Sequence, residues 1–524
     1  MQKKTRKMVA LVLAGALMSG IFAACAKDNG ATEGSAVSRS MENDGDTASA
    51  EKRSTLVIAT ESEPPTLHPF DHKAVTAAYM NLLTFNALMS IDPETLEPVT
   101  DLAESYETVS DTEWVFTLKQ GVTFHDGSTL DAQDVKASME YAKTYPTTKD
   151  YTSFWTDIQV VDDTHVKITT DGPYAMVLND MASIDILPSE LIDEGNDFNE
   201  NPVGTGPYCF VEWNRGDNLT FEKNPNFFDT EHQPSMETIT WRIIPEGSSR
   251  TIALQAGEVD FIMEVEATDI TRLKEDEAIT VQENEGTRMN FMAMNSEAGP
   301  FENPWFRKAV SAAVDREAVV TVSCDGQGIV ALGQTSPAFP GYSEENSQDY
   351  DVKKAKEYLK KSGIDPEDAT FTCLACTDAN RRAAEVIQAN LAEIGITMEI
   401  ETLDYATYLN AIMSGDYEAA IAGYTSSNMY AYNIGLYHSS AIDAANLTRI
   451  DDQKVDSLIE QAKTQLDSTQ REATFTELSE YLNDWTPFVP LYQTVVIKAY
   501  DKDLEGVVVG KDGNVAFEDV RWSA

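Results

Sequence analysis

The residues able to do chemistry are unevenly supplied in this chain of 524 residues: 87 Asp and Glu, six His and five Cys. So many carboxylates guarantee that some pairs lie close, and paired acids alone therefore say nothing about hydrolysis. The context that activates a nucleophile or a catalytic metal is missing, because the sequence contains neither G-x-S-x-G nor H-E-x-x-H. Among the histidines, His68 and His72 have the spacing that would place two imidazoles on one helix face, but Pro69 between them opposes such a helix. His125, His165, His232 and His438 are scattered. Cys373 and Cys376 form a lone C-x-x-C with no further ligands at zinc spacing, and read as thiols at a strand end. Pro202–Tyr208 and Gly506–Lys511 are Gly-punctuated, yet neither has the spacing and Lys-Ser/Thr ending of a phosphate loop. The expectation is no catalytic residue, no metal ligand and no cofactor.

Cys25 is different, because its neighbours say what it is for. A basic start, Lys3-Lys4-Thr5-Arg6-Lys7, precedes an apolar stretch from Met8 to Ala24 rich in small residues. Residues 1–24 read as a signal peptide. The segment ends in Phe22-Ala23-Ala24-Cys25, which resembles a bacterial lipobox, so Cys25 is the expected lipidation site. Residues 25–54 are small and polar and cannot bury a core; they read as a disordered tether. The plan is a lipid anchor, a leash and a folded body on the extracytoplasmic face of a membrane. The net charge of −48 argues against nucleic acid and against flat adsorption on anionic lipid. Four of the 39 basic residues lie in the leader, so the mature chain is more acidic still.

The elements that would position a site alternate. Strand patterns occur at Thr55–Ala59, Glu113–Leu118 and Thr164–Thr169, and residues 74–89 look helical in part. Asp131 to Lys143 reads as a helix behind an acidic cap, with Val135 and Met139 on one face. Asn303-Pro304 opens a second helix with Phe306, Val310, Ala313 and Val314 inward. Asp351 opens another, with Ala355, Tyr358 and Leu359 inward and Gly363 as its stop. Ala383, Ile387, Leu391 and Ile394 form an apolar stripe closed by Gly395 and followed by a strand from Ile396 to Thr402. Two later helices carry Val455, Leu458, Ile459 and Ala462, then Phe475, Leu478 and Leu482, before a strand at Phe488–Tyr492. Helices and strands in alternation mean α/β layering, and the length calls for more than one core.

Four phrases, in order, carry a resemblance. They are Trp114-x-Phe116-x-Leu118-Lys119-x-Gly121-Val122-x-Phe124-His125-Asp126-Gly127; Pro202-Val203-Gly204-Thr205-Gly206-Pro207-Tyr208 with Trp213 and Lys223-Asn224-Pro225; Gln255-Ala256-Gly257-Glu258-Val259-Asp260; and Asn295, Pro300-Phe301, Arg307-Lys308-Ala309 and Asp315-Arg316-Glu317. Over residues 55–524 the chain resembles the extracellular solute-binding proteins of the oligopeptide/dipeptide/nickel type (family 5). The resemblance implies a two-lobed, periplasmic-binding-protein-like type II fold joined by two crossover strands. Lobe I would hold residues 55–285 and 493–524, with a subdomain inserted at about 86–198, and lobe II residues 288–492. It implies a monomeric, non-enzymatic binding component of an ABC importer that delivers a small solute, most simply a peptide, to permease and ATPase subunits. The implied ligand residues are Glu61, Thr66 and His68 after the first strand, Tyr405, and Tyr424, Thr425, Ser427 and Asn428. Two departures bear on the cargo: Ser427 stands where peptide binders place an Asp, and Leu374 where dipeptide binders place an Arg. A nickel or other non-peptide cargo is the alternative within the family, and a signalling or chaperone-like role for the same clamp is a third; a secreted hydrolase lies outside the family.

Overall fold

A computed structural model describes residues 53–523. The signal peptide, Cys25 and most of the tether lie outside the described residues. The tether ends earlier than expected, because Arg53 and Ser54 belong to the body. Arg53 pairs with Asp260 at 3.3 Å and lies over the Trp522 ring, and the Ser54 carbonyl accepts from Glu237 N–H.

The chain opens with β1 (Thr55–Thr60) and α1 (Val75–Thr84), then a short hairpin of β2 (Met89–Ile91) and β3 (Pro98–Thr100). A separate four-stranded antiparallel sheet follows, in the order β4 (Ala103–Ser110), β5 (Glu113–Leu118), β7 (His165–Thr170), β6 (Trp155–Asp162). Its alternating residues Trp114, Phe116 and Leu118 pack on α2 (Ala132–Ala142) through Val135 and Met139. Helix α2 starts where it does because the Asp131 carboxylate accepts from Gln133 and Asp134 N–H while Asp134 reaches back to Asp131 N–H. The short helices α3 (Lys149–Thr152), α4 (Val177–Met181) and α5 (Ser189–Glu194) complete this subdomain.

Next come β8 (Tyr208–Asn214), β9 (Asn218–Lys223), β10 (Thr238–Ile243), α6 (Gly247–Gln255), β11 (Phe261–Ile262) and α7 (Ile270–Lys274). Strand β12 (Ile279–Met294) runs into α8 (Pro304–Ala313), α9 (Arg316–Ser323), β13 (Gly328–Val330) and α10 (Val352–Ser362). The second half then alternates β14 (Thr370–Ala375), α11 (Asp378–Ala392), β15 (Thr397–Thr402), α12 (Tyr405–Ser414), β16 (Ala419–Tyr424) and α13 (Met429–Tyr437). Helices α14 (Gln453–Thr464) and α15 (Ser468–Trp485) lead to β17 (Phe488–Asp501), β18 (Leu504–Glu505) and β19 (Arg521–Trp522). The expected caps hold: Asn303 accepts from Trp305 N–H, Asp351 from Lys353 and Lys354 N–H, and Gly363 and Gly395 take positive φ. Tyr358 and Leu359 are only half-buried, and Ala355 alone of that trio is fully inside.

Two strands tie the molecule together. One continuous sheet has the order β15-β14-β16-β12-β17-β11-β1-β10-β9-β8, with β13 pairing onto β17. The strand expected at Phe488–Tyr492 in fact continues to Asp501, and β12 is sixteen residues long. They pair antiparallel from Ile279↔Asp501 to Ala293↔Phe488, through both halves of the fold. The register shifts between Glu285 and Met289, where Gly286 lies against the Thr494 carbonyl and the buried Gln493 amide donates to the Gly286 carbonyl. Apolar clusters sit on both faces of each half: Phe261, Trp241 and Tyr500, and Ala59, Leu254 and Leu273, in the first; Phe291, Tyr432 and Phe488, and Phe301, Phe306 and Phe371, in the second.

Candidate functional site

Strand directions locate the cleft. β1 is parallel to β10 and β11, and β11 is antiparallel to β17. β14, β15 and β16 are mutually parallel, and β16 is antiparallel to β12. Since β12 and β17 oppose each other, the parallel strands of the first half run toward the second, and those of the second toward the first. Their carboxyl ends therefore face one another, which is where ligands bind in open α/β sheets. One set ends level with Ala499 of β17, the other level with Gln493. At ~3.3 Å per residue the gap is roughly 20 Å. It is spanned by the middles of β12 and β17.

The second-half edge is the loop after β16. Tyr424 is half-buried; its ring meets Tyr432 edge-on at 5.8 Å, and its hydroxyl lies over Gly435, where any side chain would collide with it. Burial, with the Asp150 carboxylate adding to it, raises the Tyr424 pKa. Thr425 and Ser427 are exposed. Asn428 caps α13 by accepting from Ala431 N–H at 2.8 Å, and its amide donates to Ser427 Oγ at 3.3 Å. Residues 424, 425, 427 and 428 thus form one continuous rim. Tyr405, on the first turn of α12, is 65% exposed with no aromatic partner among the described residues. Leu374 is buried in the apolar cluster beneath.

The first-half edge is built differently from expectation. Glu61 is exposed at the end of β1, its N–H donating to Glu264 at 3.1 Å. Burial raises the Glu264 pKa, opposed by the Lys498 charge, and burial lowers Lys498 to about 8 while its ammonium donates to the Met263 carbonyl. Thr66 and His68 make their side-chain hydrogen bonds to Asn199 and to Tyr141 and Tyr145. Thr66 Oγ1 donates to Asn199 at 2.8 Å and accepts from His68 N–H. The His68 ring is buried among Phe70, Tyr141, Tyr145 and Phe198. Its Nδ1 accepts from Phe70 N–H, so Nε2 bears the proton offered to Tyr145 at 2.9 Å and Tyr141 at 3.2 Å. Burial lowers its pKa, consistent with a neutral ring. Thr66 and His68 fasten the loop to the inserted subdomain; the sequence shows their types but not their partners.

That subdomain also touches the second half. Ala175 N–H donates to the Lys463 carbonyl at 2.7 Å, and Tyr174 meets Tyr430 edge-on at 6.5 Å. The Tyr174 hydroxyl donates to Asp180, whose pKa burial raises to about 8. A cavity of about 320 Å³ lies along this seam, lined from one side by Leu96 and Met176 and from the other by Phe339, Asn428, Tyr430 and Phe475. The seam was not legible in the sequence, because nothing local marks Tyr174 and Tyr430 as neighbours. Arg288 on β12 was also missed: it is exposed, and donates to Thr425 Oγ1 at 3.4 Å. Its signal was an isolated base opening an alternating apolar run in an acid-rich chain.

No group of three or more His, Cys, Asp or Glu among the described residues is arranged to hold a metal ion. His125 contacts the Gly206 carbonyl, His165 Asp162 and His232 Asp519, each far from the others in the chain. Cys373 and Cys376 are both free thiols, Cys373 fully buried, and burial raises the pKa of each. Among the described residues no helix is long and apolar enough to cross a membrane.

The profile of the bacterial extracellular solute-binding proteins, family 5, matches residues 97–443. The chain belongs to that family. Its members bind solutes and are not enzymes. Among curated family 5 proteins, the glutathione-binding protein GsiB of Salmonella paratyphi A is 27% identical over 484 residues, covering 88% of this chain and 94% of GsiB. Among solved structures, HbpA2 from Haemophilus parasuis superposes with a TM-score of 0.82 at 24% identity, covering 90% of this chain and all of that one. The periplasmic binding protein DppA from Helicobacter pylori, in complex with the peptide STSA, gives 0.73 at 24% identity, covering 90% and 99%. These likenesses carry the fold: a two-lobed, type II α/β architecture.

Proposed function

We propose that this chain is the lipid-anchored binding component of an ABC importer, capturing a peptide or peptide-like solute between its lobes and passing it to a membrane permease and its ATPases. Lobe I comprises residues 55–285 and 493–524, with the insertion at about 86–198, and lobe II residues 288–492. One observation carries the reading: two opposed sets of strand carboxyl ends flank a gap bridged by β12 and β17. A solute there touches Glu61 on one side and Tyr424, Thr425, Ser427 and Asn428 on the other, with Tyr405 at the margin. Contact with both lobes favours the shut form by the difference in its affinity for the two states. Closure also strips water from the polar contacts and strengthens them. The glutathione-binding and peptide-complexed relatives support a peptide-like cargo. Cys25, acylated at the new N-terminus, holds the monomer at the extracytoplasmic face of the cell membrane.

Native mass spectrometry of gently purified mature protein tests this directly. A co-purified peptide-like mass, displaced on partial unfolding, is the expected result. A co-purified metal ion, or steady turnover of peptides, would replace the proposal with another.

A further inference from the structure

The charges around the gap bear on what the cargo carries. Among the described residues, seven of thirteen arginines lie within 4 Å of a carboxylate. The half-buried Arg381 contacts both Asp378 and Glu385, and Arg449 contacts both Glu297 and Asp443. Arg307 and Arg316 are buried and donate to backbone carbonyls. Arg288 fits neither pattern. It is exposed, has no carboxylate within 4 Å among the described residues, and makes one hydrogen bond, to the neutral Thr425 hydroxyl.

Its place is specific. Arg288 lies inside the register shift between Glu285 and Met289, in the stretch of β12 that bridges the gap. Its guanidinium lies against Gly423, the penultimate residue of β16: a Cβ there would come within 2.6 Å of Nη2 and 2.9 Å of Cζ. Gly423 therefore admits the guanidinium, and Thr425 fixes one end of it. Arg382, in the first turns of α11, is by contrast compensated: it donates to the Ser323 carbonyl at 2.9 Å and lies 3.5 Å from Asp325 and 3.7 Å from Asp378. Arg288 thus brings one guanidinium without a carboxylate partner among the described residues to the rim of the gap on a strongly negative molecule, its planar donor fork held at one end by Thr425.

Closing the lobes over an exposed, unpaired guanidinium desolvates it, and that is unfavourable unless a counter-charge arrives with the cargo. A carboxylate matches the fork with two parallel hydrogen bonds. We infer that Arg288 seats a carboxylate of the bound solute, so that this protein selects cargo presenting a free acid to the end of β16. The inference rests on the gap being the solute site.

The test uses the mature protein and two synthetic libraries of tri- to pentapeptides of matched sequence, one with free C-terminal carboxylates and one with C-terminal amides. Native mass spectrometry scores what is retained by wild type, Arg288→Ala, Arg288→Lys and Tyr424→Ala. Wild type is expected to hold the acids at least about tenfold better than the amides, a difference the size of one charge-assisted contact. Arg288→Ala should erase that ratio with an unchanged melting temperature, since the side chain is exposed, and Arg288→Lys should keep part of it. Tyr424→Ala should weaken both libraries and leave the ratio intact. Equal retention of acids and amides by wild type, or a ratio that survives Arg288→Ala, overturns the role of Arg288 while leaving the peptide reading in place. Retention of neither library overturns the peptide reading and this inference with it.

Discussion

Single side chains in this protein show how far residue type predicts role. Asp131, Asn303 and Asp351 cap helices as their spacing announces, because a cap is satisfied by backbone two or three residues away. His68 is the contrary case. Its partners are Phe70 N–H and two tyrosines more than seventy positions distant, so neither its burial nor its tautomer could be read locally. Tyr424 is a proposed ligand residue through the resemblance, and the structure packs its ring against Tyr432 and its hydroxyl over Gly435. Tyr424→Ala is expected to weaken cargo binding by about tenfold, the cost of one aromatic contact, with little loss of stability because the ring is only half-buried. Calorimetric titration with the co-purified solute, alongside a thermal melt, checks both halves; unchanged affinity would move the pocket elsewhere. A second residue-scale expectation concerns pH. Burial raises the Asp101 carboxyl to about 6 and, with the Asp101 charge adding to it, the Asp185 carboxyl to about 7. These acids hold their protons longer folded than unfolded. Their contribution is therefore most favourable below the ordinary carboxylate pKa, and stability is lost as pH rises through about 6 and about 7. Asp185→Asn removes the cost of ionising that group, so its melting temperature should match wild type at low pH and exceed it by ~2–4 °C in mild alkali. A gap between the two proteins that does not grow with pH would contradict this.

Elements were legible where one period dominates. The apolar stripes of α8, α11, α14 and α15 fixed those helices, and the alternation of β5 fixed its inner face. The long strands were not. Residues 488–492 read as a strand; in the fold the polar Gln493 that follows turns inward to the Gly286 carbonyl and the strand continues to Asp501. β12 escaped for a related reason, since Glu283, Glu285 and Gly286 break its pattern and only pairing with a strand two hundred residues away restores it. That broken stretch is where the lobes pivot in our account. Gly286 is required there, because a Cβ would come 2.7 Å from the Thr494 carbonyl and 3.2 Å from Val496 Cγ2. Gly286→Ala should force β12 and β17 apart at the crossover and cost about 1–3 kcal/mol. A urea unfolding curve reads this as a lower midpoint at unchanged slope, and a midpoint equal to wild type would show that the crossing tolerates the added atom.

On the scale of the whole molecule, α/β layering followed from the alternation of helices and strands, and the family from four phrases spread over the chain, which lie at β5 and the turn after it, around β8 and β9, at the end of α6, and at the starts of α8 and α9. What could not be read is how the halves meet. The inserted subdomain leans on the second half through Tyr174, Tyr430 and the Lys463 carbonyl, and residues so far apart in sequence leave no joint pattern. The proposed leader and the proposed lipidation of Cys25 rest on the motif of the first residues alone. The central claim is that cargo shifts a hinged pair of lobes toward the shut form, and small-angle X-ray scattering tests it most directly. Mature protein is freed of bound solute by unfolding and refolding, measured, then measured again with the solute that native mass spectrometry identifies. A smaller radius of gyration and a shortened maximum dimension on adding back the solute is the predicted result; superimposable profiles at saturating solute would contradict the account.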